Sequence, residues 1–233
     1  MRNQTESTFV VAEAGVNHNG DRDLAFQLVE IAAESGADAI KFQTFDVNKL
    51  VTQSAEKARY QQRATGKSET QLEMLSKLRL DNETHFALKR FSEKKGLQFI
   101  STAFDSYSLA FLADELELEI LKIPSGEVTN GPLLLEFART GRNLILSTGM
   151  STLDEVRIAL AVMAFGATSD STPSIDGFTL AYESDEGQKA LAERVVLLHC
   201  TTEYPAPIDS INLRAMATLR EIFRLKVGYS DHT

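Results

Sequence analysis

The sequence has a single cysteine, Cys200, among its 233 residues. One cysteine cannot form an internal disulfide, so a disulfide-stapled fold is excluded and a reducing compartment is favoured. No stretch is apolar over the length needed to cross a bilayer, and residues 1–8 lack the apolar stretch of a secretory signal. We therefore expect a cytoplasmic protein that does not cross a membrane.

Positive charge is also scarce, with 24 Lys and Arg residues against 33 Asp and Glu and a formal net charge of −9. This balance argues against a general affinity for nucleic acid. It does not exclude an anionic substrate, because a few buried cations can bind a phosphate locally. The G-x-x-x-x-G-K-[ST], G-x-G-x-x-G and G-x-S-x-G motifs are missing, so a P-loop, a dinucleotide site and a hydrolase elbow are not supported.

Short, β-rich apolar segments alternate with helical patterns along the chain, which indicates parallel βα units. Polar or ionisable residues end most of these segments, as in a (β/α)₈ TIM barrel, whose active site lies at the carboxyl ends of the strands. A doubly wound sheet has less need of chemistry at so many strand ends. We predict an α/β TIM barrel that stops before its eighth strand. The seven predicted strands are residues 9–13, 39–44, 99–102, 120–123, 144–147, 195–199 and 226–230.

Several local features are predicted between these strands. Asp81 and Gly96 are expected to begin and end one helix. Ser151 with Asp154 forms a predicted capping box for a later helix. Residues 167–190 are rich in Ser, Thr, Asp and Gly, and we interpret them as a loop insertion before the sixth strand. A mixed helical region is expected in the residues before position 80.

Three ionisable residues stand in apolar strands. The carboxylate of Glu13 ends a buried strand, which is costly unless a partner or a reaction uses it. Lys41 and Lys122 occupy positions where an ordinary barrel has Val or Leu. Each lysine can bind a carboxylate or phosphate, or form a Schiff base. One lysine could extend outwards past the helices, but two favour an anion site. The segment from Ser147 to Ser151, between a strand and a helix, can bind a phosphate, or Ser151 can simply cap the helix.

Two histidines, His199 and His232, lie at strand ends, and imidazole is a suitable ligand for borderline divalent ions. His232 follows Asp231 and an apolar strand, and it is the better candidate for a metal ligand. Cys200 at a strand end is more often a buried, inert cysteine than a nucleophile. His18, in a loop, is expected at the surface.

The sequence resembles the sialic acid synthase family, which includes N-acetylneuraminate synthases and their legionaminate and pseudaminate synthase relatives. The resemblance covers the catalytic barrel portion, from Val11 to Thr233. Its motifs, in chain order, are E-A-G-V-N-H-N-G-D from Glu13, K-F-Q-T-F from Lys41, S-T-A-F from Ser101, K-I-P-S-G-E from Lys122, L-S-T-G-M-S from Leu146, L-H-C-T-T-E-Y-P from Leu198 and G-Y-S-D-H-T from Gly228.

The resemblance implies an activity. Residues 1–233 would be the TIM-barrel synthase domain of an enzyme that condenses phosphoenolpyruvate with an N-acetylated amino-sugar aldehyde, N-acetylmannosamine or a relative. The product is a nonulosonic (sialic-type) acid, and phosphate leaves by C–O cleavage. The resemblance also implies Mn²⁺ or Mg²⁺, a homodimer of the full-length protein, and a small C-terminal antifreeze-like domain that this chain lacks.

The same resemblance assigns roles to individual positions. The catalytic positions are Glu13, Lys41 and Lys122, and His232 is the first of two metal-binding histidines, the second being expected beyond Thr233. Thr202 departs from family members that carry Asn at this position. The substrate-binding positions are Gln43, Thr102, Ser125, Glu127, Ser147, Tyr204 and Ser230.

Two other functions stay open at this point. A Schiff-base aldolase on the same barrel would use Lys41 or Lys122 as its amine. An incomplete barrel could also bind phosphate ligands without turnover. Without the second histidine and the small domain, we expect little or no activity from the 233-residue chain.

Overall fold

A computed structural model describes residues 7–52, 55 and 70–233 of the chain. The expected helical region before position 80 lies partly outside these residues, as does most of the polar amino terminus. Each of the seven predicted strands is present, with ends within two residues of the prediction. The strands are β1 (Val11–Gly15), β2 (Ala39–Thr44), β3 (Gln98–Ala103), β4 (Ile120–Ile123), β5 (Asn143–Ser147), β6 (Val195–Cys200) and β7 (Lys226–Ser230).

The strands form one parallel sheet in which every neighbour in space is also the neighbour in sequence, from β1 to β7. A doubly wound sheet would reverse its strand order at some point, and this sheet does not. Within the residues that the structure describes, the strand order and the alternating helices confirm the predicted barrel with seven strands. β1 begins two residues later than predicted, and the two residues before it, Phe9 and Val10, are about half exposed, at 49% and 50%.

Helices separate the strands and cover the outside of the sheet. The described helices are α1 (Arg22–Glu34), α2 (Val47–Leu50), α3 (Gln71–Lys77), α4 (Asn82–Lys94), α5 (Ser106–Ala110), α6 (Gly131–Arg139), α7 (Leu153–Thr168), α8 (Ile175–Glu183), α9 (Asp185–Arg194) and α10 (Ala215–Phe223). Asp81 caps α4 as predicted, and Gly96 follows its end with a φ of +80°. In the part of the chain that the structure describes, no helix is long and apolar enough to span a membrane.

The core lies between the sheet and these helices. In α6, Leu133, Leu134 and Phe137 are buried at the helical spacing that places them on one face. Phe42 of β2 stacks on Phe99 of β3, with ring centroids 5.5 Å apart. Apolar side chains of the strands and helices therefore form one core. Polar side chains of the strands lie mainly at the carboxyl ends, as described below.

The interpretation of residues 167–190 as a loop is wrong. α7 continues to Thr168, and α8 and α9 occupy most of the remainder. Ser174 and Ser184, which suggested a loop, cap α8 and α9, because their side chains accept hydrogen bonds from backbone N–H groups of the first turns. Phe178 packs edge-on against Phe165, with centroids 5.2 Å apart, which attaches α8 to α7.

The capping box of α7 was predicted one residue too early. Thr152, not Ser151, accepts a hydrogen bond from the Glu155 N–H at 3.2 Å, and the Glu155 carboxylate accepts one from the Thr152 N–H at 2.7 Å. The Glu155 pKa is lowered by the two hydrogen bonds that its carboxylate accepts from Thr152, first from the backbone N–H and then from the hydroxyl. The reciprocal bonds satisfy two backbone donors at the beginning of the helix.

We expect Thr152→Ala to lower the free energy of unfolding by about 1 kcal/mol, because the cap is lost. Ser151→Ala is the matched control and should change it by less than about 0.5 kcal/mol, because the Ser151 hydroxyl does not cap the helix and makes only a long hydrogen bond, 3.4 Å, to the Gly149 carbonyl oxygen. Urea unfolding of the two variants measures the difference. Equal losses in both would contradict this assignment of the cap.

Candidate active site at the carboxyl ends of the strands

The strand register brings most of the predicted residues onto one rim of the sheet. Glu13 is the register partner of Lys41, and Gln43 is the partner of Thr102, which is in turn the partner of Lys122. Register partners on neighbouring parallel strands point to the same face. Their side chains therefore follow each other around the inner wall from β1 to β4.

Lys41, in β2, contacts side chains of both neighbouring strands, β1 and β3. Its ammonium group forms a salt bridge with the Glu13 carboxylate. This pairing offsets the free-energy cost of placing a charged carboxylate at the end of an apolar strand. It also lies 3.4 Å from the Thr102 hydroxyl, a long hydrogen bond. The Lys41 side chain is 12% exposed and that of Glu13 is 48% exposed, so the pair stands where the wall meets solvent.

Lys122 is the most buried cation at this rim. Its Nζ donates to the Ser147 hydroxyl and to the backbone oxygen of Ile123, each at 2.7 Å. Burial lowers the pKa of the ammonium group to about 7, and the charge of Lys41 acts in the same direction. Glu13 acts in the opposite direction. Near neutral pH this lysine can gain charge readily when an anion arrives.

Ser125 lies in a 3₁₀ turn, Ser125–Glu127, that follows β4. Its hydroxyl accepts a hydrogen bond from the Gly149 N–H at 2.9 Å and lies 3.2 Å from the Cys200 sulfur. Cys200 is 6% exposed, in agreement with the interpretation of a buried cysteine. This serine therefore connects the ends of three strands.

Tyr204, Ser230 and His232 form a second group, on the β6 and β7 side. The His232 Nε2 lies 2.8 Å from the Tyr204 hydroxyl and 3.1 Å from the Ser230 hydroxyl. The two rings stack with centroids 3.9 Å apart. Burial lowers the His232 pKa, so the neutral imidazole is favoured.

Among the predicted site residues, Glu127 has its hydrogen bond outside the group at the rim. Its carboxylate accepts a hydrogen bond from the Asn130 amide at 2.7 Å, and Asn130 is the N-cap of α6. The contact is local to the turn after β4. Gln43, by contrast, lies within the rim, level with Thr102.

The prediction that His18 lies at the surface is wrong, and a second buried histidine was missed. His18 is 1% exposed, and its Nδ1 accepts the Gly20 N–H. His85 is also 1% exposed; its Nε2 lies 2.9 Å from the Thr44 hydroxyl and its Nδ1 2.9 Å from the Asp81 carbonyl oxygen. Burial lowers the pKa of both histidines. The available signal was the helical spacing that places His85 one turn before the buried Leu88, on the same face of α4.

A metal centre is not complete in the part of the chain that the structure describes. No group of three or more His, Cys, Asp or Glu side chains there is arranged to hold an ion. His232 supplies one imidazole of a suitable type, but a divalent ion in a protein needs several ligands. His199 does not add one, since its Nε2 pairs with the Ile211 carbonyl oxygen at 2.8 Å.

The sequence of the chain matches the model of the NeuB family over residues 28–233. The chain belongs to the NeuB family. It is 45% identical over 228 residues to the N,N'-diacetyllegionaminic acid synthase of Campylobacter jejuni and 46% identical over 232 residues to that of Legionella pneumophila. These alignments cover 98% and 100% of this chain but 61% and 59% of the relatives, so the chain spans about three fifths of their length.

A solved structure supports the same membership. The fold is similar to that of an N-acetylneuraminic acid (sialic acid) synthetase from Leptospira borgpetersenii, determined in complex with citrate, with a TM-score of 0.73 and 29% identity. The similarity covers 97% of this chain and 65% of that chain. This chain and that synthetase therefore share one fold, and the rim described above lies at the carboxyl ends of the strands of this chain.

Proposed function

We propose that this chain is the phosphoenolpyruvate-binding barrel of a nonulosonic acid synthase. The reaction is condensation of phosphoenolpyruvate with an N-acetylated amino-sugar aldehyde and release of phosphate by C–O cleavage. The observation that supports it best is the pair Lys41 and Lys122, two cations with hydroxyl partners on one rim of an otherwise apolar sheet. Membership of the NeuB family and the names of the related enzymes support the same reaction.

Phosphoenolpyruvate carries a carboxylate and a phosphate, and the rim offers donors for both. Lys41 and Thr102 form one set, while Lys122 and Ser147 form the other. Fixed donors of this kind stabilise charge without having to reorganise, which is where most of their catalytic value comes from. The citrate bound to the related synthetase is also a multiply charged carboxylate, in agreement with an anion site in this fold.

The bonds that change can be followed on the substrate. C3 of phosphoenolpyruvate attacks the aldehyde carbon, a C–C bond forms, the aldehyde oxygen gains a proton and positive charge develops at C2. Water adds to C2 and loses a proton. The C2–O bond to phosphate then breaks, and the remaining oxygen on C2 becomes a ketone. Glu13, held by Lys41 at the solvent edge, would stabilise the C2 charge or accept the proton from water.

The acceptor is the finer part of the proposal. The identity to two N,N'-diacetyllegionaminic acid synthases, 45% and 46%, exceeds the 29% identity to the sialic acid synthetase structure. We therefore favour the 2,4-diacetamido-6-deoxy relative of N-acetylmannosamine over N-acetylmannosamine itself. Tyr204 and Gln43 are proposed to face this sugar.

An assay of the product of the complete reading frame tests the choice of acceptor. The protein is supplied with phosphoenolpyruvate, Mn²⁺ and one of the two sugars, and released phosphate and keto acid are measured. We expect kcat/KM to be at least about tenfold higher with the diacetamido sugar, a difference of about 1.4 kcal/mol in transition-state binding. A preference for N-acetylmannosamine would contradict the acceptor but keep the reaction. Turnover with neither sugar would contradict the proposed function.

The remaining parts of the proposal concern the protein as a whole. Mn²⁺ or Mg²⁺ would have His232 as one ligand, and the family resemblance implies a second histidine as another. A cytoplasmic location, a homodimer and an antifreeze-like domain that covers the site are proposed from the family resemblance. If that domain is required for turnover, the 233-residue chain by itself should bind phosphoenolpyruvate but convert it slowly or not at all.

A Schiff-base aldolase is a second candidate, because the pKa of Lys122 is about 7 and an amine must be neutral to attack a carbonyl. Borohydride reduction with a keto-acid substrate separates the two functions. An aldolase would give a covalent adduct on Lys122 and keep its activity in chelator. We expect no adduct, and loss of activity in chelator.

A further inference from the structure

The Ser125 hydroxyl stands at a junction of three strand ends. It begins the turn after β4, three residues beyond Lys122, and accepts the Gly149 N–H from the segment that follows β5. The sulfur of Cys200, the last residue of β6, lies 3.2 Å away. Because Gly149 follows Ser147 by two residues, the junction lies directly beside the partner of the buried lysine.

The junction is closely packed. A Cβ atom added at Gly149 would lie 2.9 Å from the Cys200 sulfur, 3.0 Å from the Ser125 oxygen and 3.0 Å from the Thr202 methyl carbon. A side chain at this position would have to displace all three. The close packing holds the backbone N–H of Gly149 against the serine, and this N–H occupies one of the two lone pairs of the hydroxyl.

The other contacts of Ser125 depend on what is bound. A hydroxyl has one proton to donate and two lone pairs, and a thiol is a weak donor and a weak acceptor. Either atom of the Ser125–Cys200 pair can be the donor, and without an anion the hydroxyl, as the stronger donor of the two, directs its proton at the sulfur. An anion is a much better acceptor, since hydrogen bonds to charged groups are about twice as strong as neutral ones. When an anion is bound, the serine proton turns to it, and the thiol can donate its own proton to the lone pair that is left.

We propose that Cys200 is a positioning residue, which holds Ser125 as a hydrogen-bond donor for the anionic substrate by exchanging its role from acceptor to donor. This inference rests on the proposed function, because it takes phosphoenolpyruvate as the anion. The thiol itself does not touch the substrate and forms no covalent bond. Its part is to complete the hydrogen bonds of the serine, with Gly149, in the orientation that binding requires.

The S–H stretching band in the infrared spectrum reports directly whether the Cys200 thiol changes from hydrogen-bond acceptor to donor. The sequence has one cysteine, so the band belongs to Cys200 alone. Donation weakens the S–H bond, and we expect the band of the purified chain to move to lower frequency when phosphoenolpyruvate is added. The measurement needs no substitution. A band that stays in place while phosphoenolpyruvate binds would overturn the inference.

Substitutions give the second readout, the dissociation constant for phosphoenolpyruvate by calorimetry. Cys200→Ala removes the donor and should weaken binding about three- to tenfold, the value of one neutral hydrogen bond. Cys200→Ser restores a donor and should recover most of the affinity. Ser125→Ala should weaken binding about tenfold or more, because its bond is to a charged group. In the Ser125→Ala background, Cys200→Ala should have no further effect, since the group that it positions is gone.

Each outcome of these titrations decides between the possibilities. Equal losses for Cys200→Ala and Cys200→Ser, or additive losses with Ser125→Ala, would mean that the cysteine only fills space, and the inference would be wrong. Unaltered binding in Cys200→Ala would overturn it as well. If the unaltered chain fails to bind phosphoenolpyruvate, the proposed function itself is contradicted and the inference falls with it. Thermal unfolding of each variant identifies any that do not fold.

Discussion

Lys122→Met should make the folded chain more stable at pH 6 and, at the same time, abolish its affinity for phosphoenolpyruvate. The reason is the cost of burying this charge. The difference between the ordinary pKa of 10.5 and about 7 corresponds to on the order of 5 kcal/mol at about 1.36 kcal/mol per pH unit. The substitution also leaves the Ser147 hydroxyl and the Ile123 carbonyl oxygen without the lysine as a hydrogen-bond partner, which costs about 1–3 kcal/mol and offsets part of the gain. A net gain of about 2 kcal/mol or more is expected.

The pH dependence of this gain has a definite sign. Below pH 7 the lysine is protonated in both the folded and the unfolded chain, and the full cost of burial is present. Between about pH 7 and 10.5 the folded chain has released the proton while the unfolded chain keeps it, so the stability of the unaltered protein rises with pH. Near pH 10 the cost of burying the charge in the unaltered protein is nearly gone, but the methionine variant still lacks the hydrogen bonds of the lysine. The variant should therefore be the less stable of the two at this pH.

Urea unfolding at pH 6 and pH 10 measures both values, with Lys226→Met as the control. Lys226 is the exposed first residue of β7, at the end of the strand away from the rim. Its substitution should change the free energy of unfolding by less than about 0.5 kcal/mol at either pH. A Lys122→Met variant that is less stable than the unaltered chain at pH 6 would contradict the description of a desolvated lysine.

Lys41→Met should lower kcat/KM of the complete protein by about 10²–10³, the usual effect of losing a fixed donor to developing charge. The substitution removes a cation from the proposed substrate site and also releases the Glu13 carboxylate from its salt bridge. Both changes act on the same region of the site. The stability should change less than the rate, because the pair stands at the solvent edge, where ion pairs contribute little to folding.

The measurement is a steady-state titration of phosphoenolpyruvate with the complete protein. Lys41→Arg separates charge from geometry, since it keeps the cation but not its compact shape. Lys226→Met again serves as the control and should leave kcat/KM unchanged. A decrease of less than about threefold in Lys41→Met would mean that this lysine does not act on the reacting substrate.

Local sequence patterns predicted the strands because each strand is short and apolar, and β1 to β6 are each followed by a helix. β2, β4 and β7 begin and end where they were expected. The two serines that cap α8 and α9 were misinterpreted, because Ser before a helix and Ser in a loop have the same composition. What decides between them is the contact of Phe178 with Phe165, and a tertiary contact is not visible in local composition.

The site was predicted in part for a similar reason. Lys41 and Lys122 were conspicuous, because a cation inside an apolar strand is unusual. The junction at Ser125 was not predictable as such, since it depends on a close approach between residues 24 and 75 positions apart in sequence. His85 also has both ring nitrogens within hydrogen-bonding distance of polar partners only after α4 has packed against the sheet.

Condensation with phosphoenolpyruvate that carries ¹⁸O in the C–O–P bridge tests the central claim most directly. The complete protein is incubated with this substrate, the diacetamido sugar and Mn²⁺, and the released phosphate is analysed by ³¹P NMR for the isotope shift. Cleavage of the C–O bond at the Lys41 and Lys122 rim predicts that the label leaves with phosphate, together with one equivalent of nonulosonic acid. Unlabelled phosphate, or no condensation product, would contradict the account.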